Sequence, residues 1–251
     1  LGDINGDGLD DILLGAPQYG HIYSWNPWSL GQGAVYIIYG RLWSEIPTLQ
    51  GYYYVDAVTG GDQDVAINGP RIWHDDERTG FASSVSIADL DNDGKGEIVI
   101  GAPDAKLNLD MKSALLLDED LQSIAHIEEA GIGRLYIVSG ANTGLSGFTA
   151  IDGVADLVVN GSTSISRFGY SLASADINND GIDDLLAGSP GRSGTGTRGH
   201  VWAYYGSDSP FWADSQGQAL VQLQNRRRYS GEIDYSSDSG IPLEEGMGYL
   251  F

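Results

Sequence analysis

The sequence predicts an all-β fold of β-propeller blades, each a sheet of four antiparallel strands, and three observations point there. A nine-residue acidic loop is written three times, at residues 3–11, 89–97 and 176–184. Each copy is followed by a short apolar run that glycine and proline stop. The copies recur at a near-constant period, 86 residues from Asp3 to Asp89 and 87 from Asp89 to Asp176, with further landmarks repeated inside it.

The runs Ile12-Leu13-Leu14-Gly15-Ala16-Pro17, Ile98-Val99-Ile100-Gly101-Ala102-Pro103 and Leu185-Leu186-Ala187-Gly188-Ser189-Pro190 read as buried strands, because they are too short and too abruptly ended for helices. A third strand is expected at 33–40, 133–140 and 199–206, each bounded by glycine, and a fourth at 64–69, 156–161 and 219–224. With Gly80-Phe81-Ala82-Ser83 and Phe168-Gly169-Tyr170-Ser171 ahead of the second and third loops, the repeat reads as four short antiparallel strands, the unit of a propeller blade. Approximate repeats are 1–79, 80–166 and 167–246, within a single propeller region covering 1–251, and Met247-Gly248-Tyr249 reads like the opening of a further copy. Three blades are too few to close a ring, so the chain is expected to belong to a larger propeller. Residues 107–129 mix apolar and acidic side chains without a clean helical stripe.

The loops carry the chemistry. A hard divalent cation takes six to eight oxygens at about 2.3–2.6 Å, and Asp or Asn at alternate loop positions supplies them. Positions one, three, five and nine are Asp3, Asn5, Asp7 and Asp11 in the first loop, Asp89, Asp91, Asp93 and Glu97 in the second, and Asp176, Asn178, Asp180 and Asp184 in the third. Glycine at position six permits a turn that directs the position-seven carbonyl inward, that of Leu9, Lys95 or Ile182. Three Ca2+ sites are therefore expected. An EF-hand is excluded, since its twelfth position would fall on Leu14, Ile100 or Ala187, which have no side-chain oxygen. Empty Asx-type turns and Mg2+ are the competing readings.

Composition narrows the function classes. Among 251 residues, 35 Asp and Glu against 13 Lys and Arg give a formal charge of −22, which argues against nucleic-acid binding. Three divalent ions would reduce this to about −16. Cysteine is absent, which removes disulfides and thiolate chemistry from consideration. No apolar run reaches the length of a spanning helix. The four histidines lack zinc-protease spacing, no G-x-S-x-G elbow occurs, and the glycine-rich stretch 191–199 lacks the end of a phosphate loop, so no catalytic residues are assigned.

Gly80-Phe81 and Phe168-Gly169 ahead of the second and third loops, together with Gly15-Ala16-Pro17, Gly101-Ala102-Pro103 and Gly188-Ser189-Pro190 after the loops, resemble the FG-GAP repeat family, the calcium-bearing blades of integrin α-subunit propellers. In the second copy the dipeptide reads as reversed, and its ninth position is Glu97 where the others have Asp. The resemblance implies a propeller of about seven blades, an extracellular or cell-surface location, and acidic loops in the hairpin between a blade's first two strands. It also implies a recognition module for an extracellular protein or glycan. Alternatives are the accessory propeller of a secreted glycosylphosphatidylinositol phospholipase-D-like hydrolase, and a self-assembling subunit of a surface layer or filament.

Antiparallel alternation sends the long connections to the end opposite the loops. They hold Tyr23, Trp25, Trp28 and Trp73, aromatic candidates for stacking on a sugar ring or anchoring a protein partner, with capping of the blade edges as the competing role. Arg226-Arg227-Arg228 is the basic cluster of the chain and reads as a solvated loop or an internal partner for the acidic surface.

Overall fold

A computed structural model describes residues 1–17, 32–41, 64–70, 79–106, 131–141, 145, 147–161, 166–191 and 199–208, with the backbone alone of 226–229. These residues form three four-stranded sheets. The first contains β1 (Ile12–Ala16), β2 (Ala34–Ile38) and β3 (Val65–Asn68). The second contains β4 (Ser84–Ala88), β5 (Glu97–Ala102), β6 (Arg134–Val138) and β8 (Leu157–Asn160). The third contains β9 (Ser171–Ala175), β10 (Asp184–Ser189), β11 (His200–Tyr204) and β12 (Arg226–Tyr229). The second and third sheets are antiparallel meanders, and the acidic loops join their first two strands, β4 to β5 and β9 to β10.

The first sheet is completed differently. β7 (Gly147–Ala150), which lies between β6 and β8 in the chain, pairs in parallel with β3, with Val65 opposite Gly147. A strand from the second repeat thus crosses to the edge of the first sheet, and a short 3-10 turn, Ile151–Gly153, leads the chain back to β8.

Two further expectations are corrected. The fourth strand of the third sheet is β12, paired with β11 through Val201 opposite Tyr229, whereas 219–224, where that strand was expected, lies outside the described residues. The Arg226-Arg227-Arg228 cluster is therefore edge-strand backbone, and not a loop. Residues 107–129 also lie outside the described residues.

The sheets pack face to face, which explains why the second strands read as continuous apolar runs. Ile98 and Ile100 of β5 face a core shared with Val35, Ile37, Val65 and Ile67 of the first sheet. Val99 points the other way, into a core with Phe168, Leu185 and Ala187 of the third. Every residue of β5 is buried, and each such isoleucine contributes about 1.5–3 kcal/mol. The equivalent Ile12 and Leu14 of β1 are each 40% exposed, because among the described residues no sheet covers that face.

Phenylalanine corners lock one blade to the next. Phe81 and Phe168 are buried and sit edge-on to Tyr136 and Trp202, respectively. Each occupies space that glycine leaves in the preceding sheet: a Cβ on Gly33 would lie 2.4 Å from the Phe81 carbonyl oxygen, and one on Gly133 would lie 2.1 Å from that of Phe168. The glycine of Gly-Ala-Pro has the same origin, since a Cβ on Gly15 would meet the Ala82 carbonyl at 2.4 Å and one on Gly101 that of Gly169 at 2.1 Å.

These contacts align Phe81 with Phe168, so the second copy does not reverse its dipeptide. Both residues flanking each phenylalanine are left-handed: Gly80 (φ 64°) and Ala82 (φ 66°) in one corner, Arg167 (φ 54°) and Gly169 (φ 79°) in the other. Each copy places its glycine on a different side of the ring. The remaining side holds a residue with a Cβ in a conformation that disfavours it.

Candidate metal centres

Each acidic loop is a nest of Asx turns. The position-one carboxylate accepts from the backbone ahead of it: Asp3 from Gly6 N (2.7 Å) and Gly8 N (2.7 Å), Asp89 from Asp93 N (3.1 Å) and Gly94 N (3.0 Å), and Asp176 from Asp180 N (3.1 Å) and Gly181 N (2.8 Å). The position-three oxygens of Asn5, Asp91 and Asn178 accept from the position-five N–H at 2.9, 3.2 and 2.9 Å. The position-five carboxylates of Asp7, Asp93 and Asp180 accept from the N–H of Leu9, Lys95 and Ile182 at 2.8, 2.8 and 2.9 Å.

Two left-handed residues make the loop. Position six is Gly8, Gly94 or Gly181, with φ of 84°, 83° and 91°, and a Cβ there would meet nothing within 4 Å, so backbone conformation and not crowding demands glycine. Position four is also left-handed, at Gly6, Asn92 and Asn179 (φ 79°, 60° and 60°). Sequence reasoning missed it, although the Gly-Asn-Asn recurrence is the signal, since asparagine tolerates this region.

The ninth position does more than close a cage. Asp11, Glu97 and Asp184 are fully buried. Asp11 accepts from Ile4 N (2.7 Å) and Gly40 N (2.7 Å), and Asp184 from Ile177 N (2.9 Å) and Gly206 N (2.9 Å). Each carboxylate thereby ties its loop to the glycine just beyond the third strand. Glu97 repeats the pattern with Leu90 N at 2.8 Å but reaches Gly140 N only at 3.4 Å. Among the described residues Asp89, Asp91 and Glu97 are the acids whose ligand oxygens gather within 4.8 Å of one another, the second loop being the one with an acid at position three. In the other two loops asparagine takes position three and donates to position five, from Asn5 to Asp7 (3.0 Å) and from Asn178 to Asp180 (2.8 Å).

Among the described residues these buried carboxylates have no cationic partner. The ion pairs among the described residues, Arg41–Asp64 and Arg167–Asp104, lie elsewhere. Burial raises Asp11 and Asp184 above the ordinary carboxylate range, against the opposing effect of their backbone hydrogen bonds, and it pushes Glu97 up to about 8. Asp91 is also raised, by burial and then by the Asp93 charge. An all-oxygen donor set with uncompensated buried charge fits a hard divalent cation, which would restore the ionised forms.

The loops lie side by side. Gly96 N donates to the Asp3 carbonyl (2.6 Å), and Asp183 N donates to that of Asp89 (3.3 Å), so position eight of one loop grips position one of the preceding loop. At the opposite end, β1 ends at Ala16 opposite Ala34 and β3 at Asn68 opposite Ala34, so the connections that follow β1 and β3 leave there, whereas the long connection from β2 to β3 leaves at the loop end. Tyr23, Trp25, Trp28 and Trp73 themselves lie outside the described residues. No helix among the described residues is long and apolar enough to cross a membrane.

Comparison with known proteins bears on this arrangement. The FG-GAP repeat profile matches residues 1–38, 81–113 and 168–204, a segment around each acidic loop. The chain is similar to phosphatidylinositol-glycan-specific phospholipase D from Rattus norvegicus, 35% identical over 123 residues (48% of this chain and 12% of the relative), and to the enzyme of that name from Dictyostelium discoideum, 27% identical over 242 residues (93% and 21%). It is also similar to integrin alpha-5 from Xenopus laevis, 30% identical over 145 residues (57% and 11%). The chain spans about a tenth to a fifth of the length of these relatives. With a loop, a following strand and a glycine stop in every matched segment, the chain carries three FG-GAP repeats, which form propeller blades.

Proposed function

We propose that the chain is a calcium-binding, extracellular propeller module for recognition of a protein or glycan, in which three Ca2+ ions occupy the acidic loops and hold the blade hairpins rigid. The observation that carries the reading is the repeated, fully buried ninth carboxylate, which has no ion-pair partner among the described residues and accepts from the position-two N–H of its own loop, and which in the second loop gathers with Asp89 and Asp91 within 4.8 Å. Calcium would supply the positive charge that such a carboxylate lacks. The ligands are Asp3, Asn5, Asp7 and Asp11; Asp89, Asp91, Asp93 and Glu97; and Asp176, Asn178, Asp180 and Asp184, with the carbonyls of Leu9, Lys95 and Ile182. These residues bind and brace; none is assigned a catalytic role.

An ion that binds only the folded state stabilises it by about 1.4 kcal/mol per site at ten times Kd, so three sites raise Tm by roughly 10 °C in a chain of this size. Thermal unfolding in calcium and in chelator tests this, with Kd expected on the order of 0.1–1 mM. Equal Tm in the two conditions rejects the reading. The recognition face is the end opposite the loops, where the connections holding Tyr23, Trp25, Trp28 and Trp73 leave the strands. A protein and glycan binding screen with Trp25→Ala and Trp28→Ala as controls tests that assignment.

A second reading has its own support. The similarity to phosphatidylinositol-glycan-specific phospholipase D covers 93% of this chain in the Dictyostelium discoideum relative. On that reading the module is the accessory propeller of a secreted hydrolase, and a catalytic domain in the same polypeptide would decide in its favour.

A further inference from the structure

The third blade holds the second acidic loop at four points. Asp183 N donates to the Asp89 carbonyl (3.3 Å), and Asp89 N donates to Asp183 Oδ2 (3.2 Å). Ser207 N donates to the Leu90 carbonyl (3.0 Å), and Asn92 Nδ2 donates to Asp208 Oδ1 (3.0 Å). Asp183 thus brackets the backbone of Asp89, the first ligand position of the second loop, with its own N–H on one side and its carboxylate on the other. Its chain neighbour Asp184 is fully buried and tied to Ile177 N and Gly206 N. One dipeptide therefore governs both the closure of the third loop and the placement of Asp89.

The junction between the first two loops lacks this bracket. Gly96 occupies the position of Asp183 and gives its N–H to the Asp3 carbonyl, but it has no side chain to receive the Asp3 N–H.

We propose that Asp183 is a positioning residue that couples the second and third cation sites, so that occupancy of the third strengthens binding at the second. The reverse effect has the same factor, because coupling free energy is reciprocal. This rests on the divalent-cation reading of the loops. With the third site filled, residues 176–184 are held in one conformation, Asp183 keeps Asp89 in place, and less ordering remains for the second loop to undergo.

The test is calorimetric titration of calcium into the metal-stripped whole chain, with the second and third sites followed separately by NMR at the Gly94 and Gly181 amides. Three ions are expected, with the second and third sites filling together and a coupling of roughly fivefold or more. Asp183→Ala removes the coupling while three ions still bind. Asp183→Asn keeps an oxygen acceptor for Asp89 N and retains the coupling. Asp180→Ala, which removes a ligand of the third site, weakens the second site by the coupling factor and gives the answer even if Asp183→Ala does not fold. Three independent sites in the unaltered chain, or an Asp180→Ala variant with an unchanged second site, would overturn the coupling and leave the cation reading intact. Absence of calcium binding overturns both. If Asp183→Asn behaves like Asp183→Ala, charge and not the bracket is responsible, and the positioning role is rejected.

Discussion

The second and third repeats are the same unit solved in two ways. Their loops share the nested turns, the left-handed fourth and sixth positions and the buried ninth acid. Asp184 is short enough for its two oxygens to reach Ile177 N and Gly206 N at 2.9 Å each, so it is chiefly a clamp between loop and third strand. Glu97 is one methylene longer, holds Gly140 N at only 3.4 Å, and joins Asp89 and Asp91 in a tight group of acids. The buried ninth carboxylate thus serves strand closure in both repeats, and the longer Glu97 holds the glycine beyond the third strand less tightly than Asp184 does.

The largest expected effect comes from removing the clamp. In chelator, Asp184→Ala leaves two well-made N–H bonds unpaired, one buried and one part-buried, and lowers stability by about 3 kcal/mol, while Glu97→Ala, with one strong and one long hydrogen bond, costs about 2 kcal/mol. Denaturant melts of the two variants measure this, and an equal or reversed order would break the comparison.

Next in size is the response to pH. Glu97 is raised to about 8 in the metal-free fold from an ordinary value of 4.5. The folded state holds this proton more tightly than the unfolded chain, so the contribution is fully present below about 4.5 and is lost as pH rises toward 8. Cation binding shows the opposite trend, because the proton must leave: affinity at the second loop falls about tenfold per unit below pH 8, and it falls less steeply in a Glu97→Asp variant. Calcium titrations between pH 6 and 8.5 read the slope, and a flat profile for the second loop would contradict it.

The smallest effects concern the phenylalanine corners. Ala82→Gly relieves a left-handed alanine but gives up a buried core methyl, so about 0.5–1 kcal/mol of strain relief is set against a burial loss of similar size and the net change is small. Arg167→Gly relieves the same strain but removes the hydrogen-bonded ion pair with Asp104 and the stack on Tyr170, so its net change is close to zero. Thermal melts of the two single variants measure this, and a loss in Ala82→Gly well beyond the roughly 0.8 kcal/mol of a buried methyl would refute the alignment of Phe81-Ala82 with Phe168-Gly169.

Much of this was legible before the fold was known. The loop positions, the glycine at position six and the second and third strands could be read from spacing, and the hairpin placement of the loops followed from the family resemblance. What was misread involved residues whose partners are distant in the chain. Gly80-Phe81 looked like a reversed dipeptide because the sequence does not reveal that the residues on both sides of the ring are left-handed. Ala219–Gln224 looked like the fourth strand because it is apolar, yet the edge of the third sheet is the polar Arg226–Tyr229, and an edge strand needs hydrogen-bonding register more than apolar side chains.

The acidic loops, their oxygen atoms and the repeating blade are written in the chain locally, because turn chemistry and strand alternation act between residues a few places apart. Only the tertiary structure decided that the ninth carboxylate ties the loop to the glycine after the third strand, that β7 crosses to the first sheet, and that Asp183 grips Asp89 across 94 residues. Those choices depend on which backbone groups are left unpaired once the sheets stack, and burial makes each of them find a partner wherever in the chain it lies.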